Sequence, residues 1–291
     1  TGLIFSSSSN LALRSLSLAT MSVTPTGAVT LNTPIPIIAY PTSAPSSASV
    51  AAHIPVLGVT SWQELETPDK VVFMRAFTAT GTNLSLSGGS NTNVIPTSAG
   101  ANQRGPLVYT LDGTRGLLVV QVATGMSVMA YSINTTTFAI TVGTQVVLPF
   151  GHQSPVTTSS NVVVMSDHDA VVTVTSYQSS TTIREIYLIN VSAGIVVTAG
   201  PATTIPGGTQ GSSQIGMTAL NMASRVLVMR SGNASIPATP NAGTDTVTFT
   251  SHLDGSFTFH DTQTSLGFGF SFTPLFSSAQ QRVAGMFNPL S

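Results

Sequence analysis

The sequence predicts an all-β fold made of one antiparallel sheet repeated five times, and three observations predict it. Helical signals are nearly absent: apolar runs are short, rich in Val, Ile, Phe and Thr, and broken by Gly, Pro, Asn and Ser. A pattern of apolar run, polar turn and apolar run returns at Leu3, Val56, Leu107, Val162 and Ile215, at intervals of 53, 51, 55 and 53 residues. A second hairpin follows each copy, so each unit supplies four short strands.

Taken in order, the first hairpins are GLIFSSSSNLAL (Gly2 to Leu13), PVLGVTSWQELETPDKVVFM (Pro55 to Met74), GPLVYTLDGTRGLLVV (Gly105 to Val120), VVVMSDHDAVVTV (Val162 to Val174) and QIGMTALNMASRVLVM (Gln214 to Met229). The second halves are AVTLNTPIP from Ala28, NLSLSGGSNTNVIP from Asn83, AITVGTQVVLP from Ala139, IVVTAGPATTIP from Ile195 and SFTFHDTQTSL from Ser256. Pro36, Pro96, Pro149 and Pro206 mark recurrent element ends, as expected of a residue confined to strand edges and turns. The intervening YPTSAPSSASVAAH, PTSAGANQRG, PFGHQSPVTTSSN and PGGTQGSSQ read as linkers.

Four-stranded antiparallel sheets repeated radially make a β-propeller, so the expected architecture is five-bladed, with the first and last blades meeting so that no sheet edge is left open. The blades are expected near residues 1–40, 54–98, 105–151, 161–208 and 214–266, together forming one domain over 1–266. Tandem β-sandwiches of about 145 residues each are the rival arrangement, disfavoured because the echo is fivefold and not twofold. The remainder, 267–291, carries Phe268, Phe270, Phe272, Phe276 and Phe287. GFGFSF alternates at strand period, and the segment is expected to be a closing strand or a docking tail.

Composition bounds the function. Charged residues are 7% of the chain, where about 25% is usual, and the formal net charge is -1. That balance excludes an electrostatic grip on nucleic acid and an acidic solvating tail. It also leaves little charge repulsion against self-association, which suits a protein covered by neighbours or working outside the cell. Without cysteine there are neither disulfides nor thiolate metal sites. No apolar run reaches the roughly 20 residues of a membrane span. The N-terminal region has neither the basic start nor the apolar core of a signal peptide, so Thr1 reads as a processed terminus or a start inside a longer product.

Ser166-Asp167 followed by Ala170-Val171-Val172, and Ile140-Thr141-Val142-Gly143 in a second half, resemble blades of lectin-type and FG-GAP-like propellers and of propellers in phage structural proteins. Five-bladed members of such families include the tachylectin class of sugar-binding proteins and several glycoside hydrolases. The resemblance therefore implies a propeller with carbohydrate binding or glycoside hydrolysis among its functions.

Aligned on these hairpins, the first turns hold six of the ten acidic residues: Glu64, Glu66, Asp69, Asp112, Asp167 and Asp169. Equivalent turns are expected on one face of the ring, making a polar, acidic rim. Asp167 and Asp169 would offer oxygen ligands there, and Trp62, the only tryptophan, could stack on a sugar. The calcium case is weak, since a loop of that kind needs several alternating acidic residues and only Asp167/Asp169 come close. Paired channel-facing carboxylates are wanting for a glycosidase, Glu185 being one of few on a strand. No G-x-S-x-G elbow accompanies His53, His152, His168, His252 and His260, although His252, Asp254, His260 and Asp261 share one hairpin. Asn83, Asn134, Asn190 and Asn233 open sequons of the N-glycosylation form.

The expectation is thus a non-enzymatic extracellular or virion-surface structural protein, a surface, fibre or tail component. Its partners would be copies of itself or other proteins of the same assembly, with glycans or a receptor as further contacts, and it needs no cofactor. The alternatives are a lectin and, after it, a glycoside hydrolase.

Overall fold

The structure is a computed structural model that describes residues 2–7, 15–39, 45–53, 57–64, 71–80, 83–86, 92–94, 106–122, 125–149, 157–178, 181–205, 213–233, 243–266, 270–277 and 282–289. The described residues are all β, in five sheets of four or five strands and one two-stranded sheet. Blade 1 holds β1 (Gly2–Ser7), β2 (Ser15–Val23), β3 (Val29–Leu31) and β4 (Ile35–Ala39). Blade 2 holds β5 (Pro45–Ala52), β6 (Leu57–Glu64), β7 (Val72–Thr80), β8 (Asn83–Leu86) and β9 (Thr92–Val94). Blade 3 holds β10 (Leu107–Thr110), β11 (Arg115–Val122), β12 (Gly125–Ile133), β13 (Ile140–Val142) and β14 (Val146–Pro149). Blade 4 holds β15 (Thr157–Val164), β16 (Asp169–Gln178), β17 (Thr181–Val191), β18 (Val197–Ala199) and β19 (Thr203–Thr204). Blade 5 holds β20 (Ser213–Asn221), β21 (Val226–Asn233), β22 (Gly243–Ser251) and β23 (Phe257–Leu266), and a last hairpin joins β24 (Phe270–Ser277) to β25 (Arg282–Pro289).

Blades 2, 3 and 4 share one plan. Three strands, lanes a, b and c, are followed by a lane d split between two short strands. In blade 2, lane c is β7, whose Phe77–Thr80 stretch pairs with β8 while Val72–Met74 pairs with β9. Blade 5 keeps lane d as the single strand β23. In blade 1, β2 carries β3 and β4 on separate stretches and is therefore lane c, which makes β1 lane b.

This plan corrects the phase of the sequence repeat. The hairpin from Leu3 and the one beginning at Val56 are lanes b and c, whereas those from Leu107, Val162 and Ile215 are lanes a and b. Both hairpins of a blade read as apolar run, turn, apolar run, so the pattern alone cannot tell them apart. Lane a of blade 2 lies inside the segment 40–53 that reads as a linker. Its Ser- and Ala-rich strand β5 is recruited by backbone pairing, Ala48 opposite Trp62 and Val50 opposite Thr60. The Phe-rich tail is not one closing strand but a hairpin, with Phe272 opposite Phe287, and β24 lies against β20 and β21. Phe268 lies outside the described residues, as do the side chains of Phe270, Phe272, Phe276 and Phe287.

The chain forms two compact units, one of Thr1–Val147 with Ser192–Val197, the other of Leu148–Val191 with Thr198–Ser291. Each fills the space between consecutive blades with side chains from alternate strand positions. In the first unit, Leu57, Val59, Val72, Met74 and Ala76 of blade 2 pack on Leu118, Val120, Met129, Tyr131 and Ile133 of blade 3. The other face of blade 2 sends Trp62 and Phe77 against Leu18 and Ile37 of blade 1. In the second unit, Val171, Ile186 and Leu188 of blade 4 meet Met217, Leu227, Met229 and Phe249 of blade 5. Leu117 to Val120 are all at most 1% exposed, so blade 3 is buried on both faces, which is why its middle strands read as unbroken apolar runs.

The c–d turns repeat most faithfully. Thr24 N donates to Ala28 O, Ser192 N to Val196 O and His252 N to Ser256 O, at 2.9, 3.0 and 2.9 Å; blade 3 uses one residue more, Asn134 N to Ala139 O at 2.9 Å. Each turn needs a residue with positive φ before its last position. Gly27 (83°) and Gly255 (88°) supply it without strain, whereas Phe138 (58°) and Ile195 (55°) adopt it as bulky residues. Gly143 sits against the Ile195 turn within the first unit, and a Cβ there would lie 2.1 Å from the Ile195 carbonyl oxygen. Backbone cannot rotate away as a side chain can. Gly143→Ala is therefore expected to destabilise the first unit by about 1–3 kcal/mol in urea unfolding.

Candidate functional site

Polar chemistry gathers where lane a turns into lane b. In blade 3 this turn is Leu111–Arg115, closed by Leu111 N to Arg115 O at 2.9 Å and Asp112 N to the same oxygen at 3.1 Å. Asp112 folds back into it: Oδ1 accepts from Thr114 N (2.8 Å) and Arg115 N (2.7 Å), and Oδ2 accepts from Arg115 Nε at 2.6 Å. Burial pushes this carboxyl up, but the Thr114 and Arg115 hydrogen bonds and the guanidinium charge outweigh it, so Asp112 sits below the usual carboxylate range. It is a turn-former whose acceptor sites are already occupied.

Blade 4 builds the same turn from Met165 to Asp169, with Met165 N donating to Asp169 O at 2.9 Å. Here the two acidic residues part company. Asp169 is fully buried, takes a hydrogen bond from Ser166 Oγ, and pairs with Arg225 Nη2 of blade 5 at 2.5 Å. Asp167 stays exposed and meets His168 Nδ1 at 2.5 Å. The pair expected to converge on a cation thus points in opposite senses, and the guanidinium occupies the inner position. A nucleophile site is not assembled either. Ser166 Oγ and Asp167 both address Nδ1 of His168, whereas relay through an imidazole needs one partner on each ring nitrogen.

Arg225 ends the matching turn of blade 5. It has a positive φ of 56° and also donates from Nε to Ser251 O at 3.1 Å, so it fastens both its own blade and the blade before it. Sequence reading missed it. In the aligned turns Arg225 takes the place of Thr114 and His168, whose carbonyls accept from Ile133 N and Val191 N as the Arg225 carbonyl accepts from Ser251 N, so no column of charges announces it. In blade 2 the corresponding turn starts at His53, whose N donates to Leu57 O at 2.9 Å.

The acidic rim shared by all first turns does not form. In the first unit, Glu64 closes lane b of blade 2 at the b–c end, while Asp112 lies at the a–b end of blade 3. Glu66 and Asp69 lie outside the described residues, as does the Glu64 side chain. Trp62 is a correction of a different kind. It is fully buried, stacked on Phe73 with centroids 5.6 Å apart, because alternation along β6 turns it into the core between blades 1 and 2. It has no face to offer a sugar ring.

The remaining candidates are placed separately. Glu185, half-buried on β17, accepts from the Tyr187 hydroxyl at 3.0 Å, and burial together with that carboxylate pushes the phenol up. His252 and His260 each engage a threonine hydroxyl, Thr258 at 2.8 Å and Thr250 at 2.6 Å, and no group of three metal-ligating side chains occurs among the described residues. His152 and the Asp261 side chain lie outside the described residues and side chains. Of the sequon asparagines, Asn83 is exposed on the outer strand β8, whereas Asn134 is exposed but holds the N–H groups of Thr136 and Thr137, each at 2.9 Å. Asn190 is half-buried opposite Asp169, and Asn233 ends β21 with its side chain outside the described set.

No family model matches the chain, and no curated protein matches it. Among solved structures it is similar to a protein from Lactobacillus plantarum determined as a structural-genomics target, with a TM-score of 0.51 and 15% identity over 92% of this chain and 69% of that one. That neighbour is propeller-like, and the likeness supports the blade architecture alone.

Two outcomes check this site. Arg225→Ala leaves Asp169 buried without its cation and is expected to cost about 3–5 kcal/mol in equilibrium unfolding, while the Asp169→Asn, Arg225→Met double variant loses much less. Tryptophan emission, which comes from Trp62 alone, is expected to be blue-shifted, resistant to iodide quenching and indifferent to added saccharides.

Proposed function

We propose that the protein is a non-enzymatic structural component of an extracellular or virion surface, whose blades pack against copies of the same chain or other proteins of one assembly. The observation that carries this reading is the exposure of large apolar side chains on a surface nearly bare of charge. Val29 and Leu31 stand on the outermost strand of blade 1, at 63% and 55% exposure. Val196 and Leu253 occupy c–d turns, the latter 70% exposed, and Met222 lies in an a–b turn. With only 7% charged residues, such positions meet little electrostatic opposition when two surfaces approach.

What charge there is supports the same reading. The ion pairs Asp112–Arg115 and Asp169–Arg225 are spent inside turns and between blades. The sugar-binding alternative leaned on Trp62, and the hydrolase alternative on Asp167 and Glu185; the first is internal and the other two are held by His168 and Tyr187.

The test is sedimentation velocity over a range of concentrations. Species well above single-chain mass are expected, and Val29→Asp with Leu253→Asp is expected to shift them toward monomer with an unchanged far-ultraviolet spectrum. A wild-type chain that stays monomeric at high concentration, without a partner from its own source, would overturn the reading.

A further inference from the structure

His53 joins two blades of the first unit through both ring nitrogens. Its Nδ1 lies 3.0 Å from the Asp112 carbonyl oxygen and its Nε2 lies 2.8 Å from the Tyr131 hydroxyl. The rings meet edge to face, with centroids 5.5 Å apart. A carbonyl only accepts, so Nδ1 carries the proton, and neutral Nε2 accepts from the Tyr131 O–H. The phenol has nowhere else to go. Tyr131 is fully buried in the core between blades 2 and 3, and Gly116 leaves it room: a Cβ there would come within 2.4 Å of the hydroxyl oxygen.

We infer that His53 is an acid-sensitive latch on the joint between blades 2 and 3, closed while the imidazole is neutral and loosened when it takes a second proton. Protonation places an N–H on Nε2, facing the oxygen that had been its donor. The Tyr131 hydroxyl must then turn its own hydrogen into apolar surroundings, and a cation is left on a half-buried ring at the end of the joint. The groups facing His53 cannot absorb that charge well. Asp112, on the blade 3 turn, already gives its carboxylate to Arg115 and the turn amides, and Tyr131 on β12 is neutral. Tyr109 on β10 does not face the imidazole: its neighbour Val108 is the residue that joins the core against blade 2, and alternation turns Tyr109 to the other face, where burial pushes its phenol up to about 12.

The direction of the linkage follows. Burial lowers the His53 imidazole, against smaller opposing effects from the Asp112 hydrogen bond and charge. A histidine depressed in the folded state leaves stability whole above its unfolded value of about 6.5, and stability drains away as pH falls from there toward the folded value. Asp112, lowered from 3.8, titrates beneath this window and does not blur it.

The experiment compares the wild type with His53→Gln, whose amide can donate to the Asp112 carbonyl and accept from Tyr131 yet does not titrate. Urea midpoints and backbone hydrogen exchange, corrected for intrinsic rates, are measured at about pH 7.5 and about pH 5. The wild type is expected to lose midpoint and to exchange faster in β5 and β10 at the lower pH, and H53Q to lose most of that difference. An H53Q protein with the wild-type pH response overturns the latch. Should H53Q fail to fold, the wild-type His53 ring is followed by NMR: a midpoint below 6.5 supports the latch and one at or above 6.5 overturns it.

Discussion

The constraint on which everything else depends is that the middle strands of a blade are apolar on both sides. A sheet with water on one face can keep polar side chains there, but Leu117, Leu118, Val119 and Val120 in succession leave blade 3 no such face. A sheet of this kind must be covered on both faces, and the polar side chains kept inside its long strands, such as Thr60, Ser61, Ser127 and Thr173, are small and buried. The a–b and c–d turns are where this protein keeps its hydrogen-bonding chemistry. Asp112, Arg115, Asp167, Asp169 and Arg225 settle there, whereas Arg75, Arg184 and Glu185 stand within strands.

How those charges are used follows from their scarcity. With burial already holding sheet on sheet, a polar group near a joint matters less for attraction than for alignment, since an unmatched buried donor or ion is penalised heavily. Asp169 with Arg225, and His53 with Asp112 and Tyr131, each tie one blade to the next at the end of the strands, where a small slip would leave a partner unsatisfied. These contacts favour one register between neighbouring blades, in addition to the packing of their cores.

The sequence made the architecture legible, and the reasons it misled on the site are specific. Short Val-, Ile- and Thr-rich runs set between Gly, Pro and Asn announced repeated antiparallel sheets. The phase was ambiguous because consecutive hairpins look alike, and β5 was invisible because Pro45 to Ala52 carries small residues where apolar ones were sought. That shift put Glu64 and Asp112 on one imagined rim. Trp62, flanked by Ser61 and Gln63, reads as a surface residue until its cross-strand partner Phe73 is known. Asp167 and Asp169 look like a pair in sequence, yet two residues apart across the start of a strand one side chain goes out and the other goes in.

The left-handed turns carry one more consequence. Blades 1 and 5 close their outer hairpins on glycine, so those loops can form from local sequence alone. Blades 3 and 4 ask Phe138 and Ile195 to hold a posture that free chains shun, and such postures endure only where surroundings impose them. Around Ile195 the mould is Gly143, pressed up to its carbonyl. The outer hairpins of blades 1 and 5 draw their turn geometry from a local glycine, while that of blade 4 keeps its shape only as long as its neighbour holds it.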